Sequence, residues 1–266
     1  MAAEVFERSL ADRRRSTIGW VLGVAAYTIV NVAVFPQVKN QSGLNDLVKD
    51  YPPALMAMMG IDANSIDLTS AVGYLSSQLS LIGPLLFVMV GVAFGAGTLA
   101  GEEEGGTLGL VLSYPVSRHR VMVGKSGALV AVVGLVGIGL AGAIVVGRLF
   151  ELEIPAWGVA AFCASLVLLG VLFGLVAMVI GAATGSKALA VGAPAGLAGA
   201  TYLISSLSPV VSGLRPLRWA SPFWYATGSN PLANGLSIRD VVVLVGLSLA
   251  AFGAAVLLFA RRDLRG

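Results

Sequence analysis

Three small constellations in this 266-residue chain have residue types that could do chemistry. Gly124-Lys125-Ser126 has the ending of a phosphate-binding loop, in which glycine backbone N–H groups cradle phosphates and the lysine reaches the terminal ones. That motif needs a glycine five residues before its second glycine, and His119 stands there instead. A strand should also precede it, whereas here the tripeptide opens an apolar run, so nucleotide binding by this chain is not expected. His119 is the only histidine, set between Arg118 and Arg120, and no carboxylate lies in any long apolar run. Neither a nucleophile with its base nor a metal held by several His or carboxylate ligands can therefore be assembled within a membrane. Cys163 is the single cysteine and has no companion for a disulfide or a metal, so it reads as a small packing residue.

The elements around these residues are dictated by composition. Of the residues, 57% are hydrophobic and 12% charged, against about a quarter charged in a soluble domain. Six stretches reach the roughly 20 apolar residues needed to cross hydrocarbon. They run near 17–35, 76–100, 126–147, 157–181, 188–207 and 241–260, and none contains Asp, Glu, Lys, Arg or His. With no long polar stretch left over, residues 1–266 read as one all-α transmembrane domain. Arg13, Arg14 and Arg15 before the first run suggest a secretory signal, but its apolar stretch exceeds the roughly 7 to 15 residues of a signal core. An uncleaved first span fits better. An ion-coupled carrier holds an ionisable residue inside its bundle, so chemiosmotic coupling is not expected either.

Lysine and arginine set the orientation, because cytoplasmic segments carry their excess. With both termini inside, the inner segments hold 11 of the 17 and the outer ones 6, which predicts cytoplasmic N- and C-termini. The arginines cluster at the chain ends and do not interleave with aromatics, which argues against a nucleic-acid partner. Gly91 and Gly95, Gly170 and Gly174, and Gly192 and Gly196 are each spaced to let a neighbouring helix approach. Pro84 and Pro194 fall inside spans, where a kink is expected.

Three segments outside the spans carry further information. Residues 1–16 place Ala2, Ala3, Val5, Phe6 and Leu10 on one side of a helical wheel, the pattern of an interface helix on the bilayer. The loop 36–75 is long and carries Asp46, Asp50, Asp62 and Asp67. Residues 208–240 gather Trp219, Phe223, Trp224 and Tyr225 among prolines, and read as an outer re-entrant or interfacial segment.

The inner loop 101–125 is too structured for a spacer. Glu102, Glu103 and Glu104, then Gly105, Gly106 and Thr107, read as the start of a helix with acids at its positive end. Leu108, Val111 and Leu112 share one face, and Tyr114-Pro115 ends it before Arg118. Such a helix either lies on the membrane or plugs into a groove on a partner, and the residues alone leave both open.

At this loop the chain resembles the ABC-2 family of transporter permeases. The motifs are the acids Glu102 to Glu104, Gly106-Thr107-Leu108, Pro115-Val116-Ser117-Arg118 and Gly124-Lys125. Further on, Ser221-Pro222-Phe223-Trp224-Tyr225, Asn230-Pro231-Leu232 and Gly235-Leu236 resemble the family's segment before its last span, and Arg261-Arg262-Asp263-Leu264-Arg265 its ending. The resemblance covers the whole chain and implies a six-helix ABC-2, type V exporter-like fold in the plasma membrane. It also implies a permease that pairs with a second copy or a homologous permease and binds two copies of a separate ABC ATP-binding subunit. ATP and Mg²⁺ would belong to that subunit, with no cofactor on this chain. By the same resemblance Glu102, Glu103, Glu104, Gly106, Thr107, Leu108, Val111, Leu112, Tyr114, Pro115 and Arg118 are ATPase-coupling residues, and Val5, Phe6 and Leu10 belong to the interface helix.

Export of a hydrophobic or amphipathic substrate is the expected function. The alternatives are a six-span membrane enzyme or lipid-handling protein without an ATPase, and a stand-alone channel. Ser76, Ser77, Gln78, Ser80, Ser205 and Ser206 are polar near span ends and read as packing residues.

Overall fold

The computed structural model describes residues 2–41, 51–52, 55–56, 67–107 and 117–261, and among these every regular element is helical. Helix α1 (Ala2–Asp12) is followed by α2 (Arg14–Lys39). Next come α3 (Ala71–Thr98) and, past a break at Leu99, its short continuation α4 (Ala100–Glu104). Then follow α5 (Arg118–Val146), α6 (Ala156–Thr184) and α7 (Lys187–Leu207). The short helices α8 (Pro222–Thr227) and α9 (Pro231–Asn234) precede α10 (Ile238–Arg261). Six of these, α2, α3 with α4, α5, α6, α7 and α10, are long and apolar enough to cross a membrane. Asp46, Asp50 and Asp62 of the long loop lie outside the described residues.

The helices overrun the apolar stretches, because hydropathy marks the hydrocarbon while side-chain caps mark where a helix begins. The hydroxyl of Ser70 accepts from the Gly73 N–H at 3.1 Å, starting α3 five residues ahead of the apolar run. Ser117 accepts from the Arg120 N–H and Ser186 from the Leu189 N–H, each at 3.4 Å, opening α5 and α7. The early start of α5 matters most, since it draws Lys125 into the helix. Pro36, Pro84 and Pro194 lie inside α2, α3 and α7, each of which runs on past its proline.

Helix α6 is the hub, packed by α3, α5, α7 and α10. Its crossing with α3 is backbone on backbone: a Cβ on Gly91 would strike the Gly170 carbonyl, and one on Gly95 the Gly174 carbonyl. Around the crossing Phe87, Leu129, Phe162, Leu166 and Met178 form a dense core. The third glycine pair differs, because a Cβ on Gly192 or Gly196 would meet nothing within 4 Å. They sit on the open face of α7, whose buried side is Ala190, Pro194 and Ala198.

Several polar side chains in the spans are turned back onto the protein, which suits a low-dielectric surrounding. Thr28 donates to the Val24 carbonyl at 2.8 Å and Ser248 to that of Leu244 at 2.8 Å. Ser77 donates to the Tyr74 carbonyl at 2.7 Å, and Ser76 to Asn230 Oδ1 at 3.1 Å. Of the 208–240 segment, α8 is set into the bundle: Phe223 is buried between Phe173 of α6 and Tyr202 of α7, at ring separations of 5.7 and 5.4 Å.

At the same end of the bundle as α8, the end of α2 is tied to the turn after α5 by Lys39 Nζ donating to Glu151 Oε2 at 2.7 Å. The Lys39 ammonium holds the Glu151 carboxyl below the usual carboxylate range. A carboxyl lowered by folding adds stability above its ordinary range, and that contribution disappears as pH falls through the lowered value. Both groups are exposed, so the effect is small and screened by salt. In differential scanning fluorimetry Glu151→Gln is expected to melt slightly below wild type at pH 7 in low salt. As pH falls through the lowered value the difference between the two is expected to vanish.

Candidate coupling site

The motif-bearing acids terminate a helix where the sequence reading has them begin one. Glu102, Glu103 and Glu104 are the last residues of α4, and Gly105 and Gly106 turn the chain, Gly106 at a φ of 69°. Three carboxylates at the negative end of a helix are unfavourable unless cations or N–H groups meet them. Neighbouring spans meet Glu102 and Glu104. Glu102 Oε2 accepts from Lys125 Nζ at 2.6 Å, and the same ammonium donates to the Thr98 carbonyl at 2.6 Å. Glu104 Oε1 accepts from the backbone N–H of Lys187 at 2.8 Å, capping the first turn of α7. Thr107 closes the turn by donating to the Glu102 carbonyl at 3.2 Å.

Lys125 corrects the expectation that charge is confined to loops and termini. Its side chain is only 2% exposed, while that of Glu102 is 24% exposed. The lysine stands two turns inside α5, neutralised at close range by an acid from the preceding span. The sequence contains one sign of this. Spans joined by a short loop run antiparallel, so a charge opening one span lies beside charges closing the last.

Arg118 also acts within the chain. From the first turn of α5 its guanidinium donates to the Phe259 carbonyl at 3.0 Å and stacks over the Phe259 ring at 5.8 Å. A cation on the last carbonyls of α10 complements that helix's negative end. Val5, Phe6 and Leu10 are half-buried against the main core. The apolar face of α1 therefore packs on α5, with the Phe6 ring beside Gly127. At the start of α2, Arg13 stacks 5.7 Å from the Phe94 ring and lies against Gly97 of α3.

Glu102, Glu104, Thr107 and Arg118 are thus brought to one end of the bundle, joined by residues that the motif reading did not single out, Thr98, Lys187 and Arg13. Leu108, Val111, Leu112, Tyr114 and Pro115 lie outside the described residues. Among the described residues the arrangement shows no nucleophile paired with a base. It is a junction in which α3–α4 is linked to α5 by an ion pair and to α7 by a cap, and α5 to α10 by Arg118.

Comparison with known proteins gives this junction a context. Residues 3–264 match the family model described as ABC-2 family transporter protein. A protein named "Probable ABC transporter permease protein NosY" from Pseudomonas aeruginosa is 31% identical over 142 residues, 51% of this chain and 50% of that relative. A protein of the same name from Stutzerimonas stutzeri is 31% identical over 127 residues, 46% of each. The chain thus matches about half the length of these curated relatives.

Proposed function

The chain belongs to the ABC-2 family of transporter proteins, and from that membership we propose that it is the permease of an exporter driven by ATP hydrolysed on a separate subunit. The observation that supports this reading best is the buried Glu102–Lys125 pair at the junction of α4 and α5. The loop between these helices is the one whose Gly-Thr-Leu and Pro-Val-Ser-Arg motifs resemble the family's coupling element. Its flanks are fastened to three spans through Glu102, Glu104 and Arg118, so a push on the loop is transmitted and not absorbed.

In this reading two copies of an ABC ATP-binding subunit hold the loop helix in a groove. Leu108, Val111 and Leu112 are the buried face, with Glu103, Gly106, Thr107, Tyr114 and Pro115 around them. The loop and both termini are cytoplasmic, the membrane is the plasma membrane, and α1 is the interface helix through Val5, Phe6 and Leu10. A second permease, identical or homologous, completes the pathway. The cargo is hydrophobic or amphipathic, in keeping with apolar spans whose polar groups are engaged internally.

Docking is tested by co-expressing the chain with an ATP-binding subunit encoded in the same genome and isolating the pair in detergent. Leu108→Asp places a charge in the proposed groove and is expected to weaken the complex by about 30-fold or more, the scale of a buried interface anchor. Thermal stability of the isolated permease should not change. A wild-type complex that never forms, or one indifferent to Leu108→Asp, would sink the proposal.

A further inference from the structure

At the end of the bundle opposite Lys125, the geometry points to a binding site for the phosphodiester headgroup of a phospholipid, formed by Arg218 and Arg239. Arg218 is wedged between two indoles, its Cζ 4.6 Å from the ring centroid of Trp219 and 4.6 Å from that of Trp224. Those indoles meet edge-on at 81° and 5.9 Å, which fixes the slot. Arg239, in the first turn of α10, places its Cζ 4.3 Å from the same Trp219 ring and 5.9 Å from Tyr225. Tyr225 is buried and donates its hydroxyl to the Trp219 carbonyl at 2.8 Å, holding the platform still.

Two guanidiniums on one indole repel each other, and the ring faces orient them without cancelling their charge. Asp240, next to Arg239 in sequence, forms an ion pair with neither arginine. Arg218 Nε is buried and has no hydrogen-bond partner, a state rare for a buried donor. Two planar forks with unengaged N–H groups match the oxygens of a phosphate.

The surroundings select the source of that phosphate. The cluster lies between the end of α7 and the start of α10, where membrane helices leave the hydrocarbon. Leu217, 47% exposed, and Ile238, 83% exposed, flank it with apolar surface. A cationic head beside an open apolar flank suits a ligand with a phosphate and acyl chains, whereas a free anion would have no use for the flank.

The test uses the delipidated full-length chain in dodecyl maltoside, followed by native mass spectrometry. Three probes are compared: dioleoyl phosphatidylglycerol, dioleoylglycerol as the same chains without phosphate, and inorganic phosphate. Phosphatidylglycerol is expected to be retained, and R218Q/R239Q to weaken it by about tenfold or more, the loss of a charge-assisted contact. R215Q, a change at a nearby exposed arginine, should stay within about twofold. If the double variant is not monodisperse, R218K/R239K keeps the charge and loses the fork, and about a fivefold weakening is expected. The proposal is overturned if the substitutions leave retention unchanged, if dioleoylglycerol binds equally well, or if inorganic phosphate binds while phosphatidylglycerol does not.

Discussion

Glu102→Ala is expected to destabilise the chain by about 3 kcal/mol or more, the usual cost of stripping the partner from a buried ion. Lys125, at 2% exposure, would be left with the Thr98 carbonyl as its hydrogen-bond partner, so it must either bear an unpaired buried charge or give up its proton, and both cost stability. The reverse change should be milder. In Lys125→Met the new side chain fills the volume, and Glu102, at the end of α4 and partly exposed, turns to water, so about 1 to 2 kcal/mol is expected. The double variant E102A/K125M should recover most of the stability, because an apolar replacement of a buried pair is often close to neutral. Denaturation of the four proteins in detergent measures the coupling directly. Three variants within about 0.5 kcal/mol of wild type would show that the pair does not hold α4 to α5. The double variant also separates folding from coupling. If the pair transmits motion, the refolded double variant should still respond poorly to an ATP-binding subunit.

The second large effect is expected at the α3–α6 crossing. Gly91→Ala and Gly95→Ala each drive a methyl group into a backbone carbonyl, of Gly170 and Gly174 respectively. No rotamer change relieves such a clash, so the helices must separate, and each substitution should reach the upper part of the 1 to 3 kcal/mol range of overpacking, at about 3 kcal/mol. Together they are expected to abolish monodisperse protein in fluorescence-detected size exclusion. Gly192→Ala and Gly196→Ala are the control, because open space lies over both. There alanine should leave the chain's melting unchanged or raise it, by up to about 1 kcal/mol per site from helix propensity. A double variant at 91 and 95 that elutes and melts like wild type would refute the close crossing. A control pair that changes only the oligomeric state would mark the open face of α7 as the surface covered by a second permease.

These two sites differ in how far they could be read beforehand. Three glycine pairs of identical spacing are visible in the sequence, yet only two are backbone crossings, since the spacing says that one face is small and not which helix meets it. Lys125 was visible as the residue before an apolar run, and the run's edge seemed to be the helix edge. The Ser117 cap moved the true start to Arg118 and carried the lysine inside. The face of α1 was legible from Val5, Phe6 and Leu10, but its neighbour turned out to be α5 as well as any bilayer. Arg218 and Arg239 are 21 residues apart and show no periodic relation, so their convergence on Trp219 had no local signal.

What the sequence determined by itself is the number of spans, their class and the family. Partition into hydrocarbon is decided segment by segment from each residue's own transfer cost, and motif order survives in one dimension. What only the tertiary structure decided is which charge meets which. Glu102 finds Lys125, Glu104 finds the α7 terminus and Arg118 finds the end of α10. An ion pair depends on distance between helices that many sequences of equal hydropathy could pack otherwise, so that information exists only once the bundle has closed.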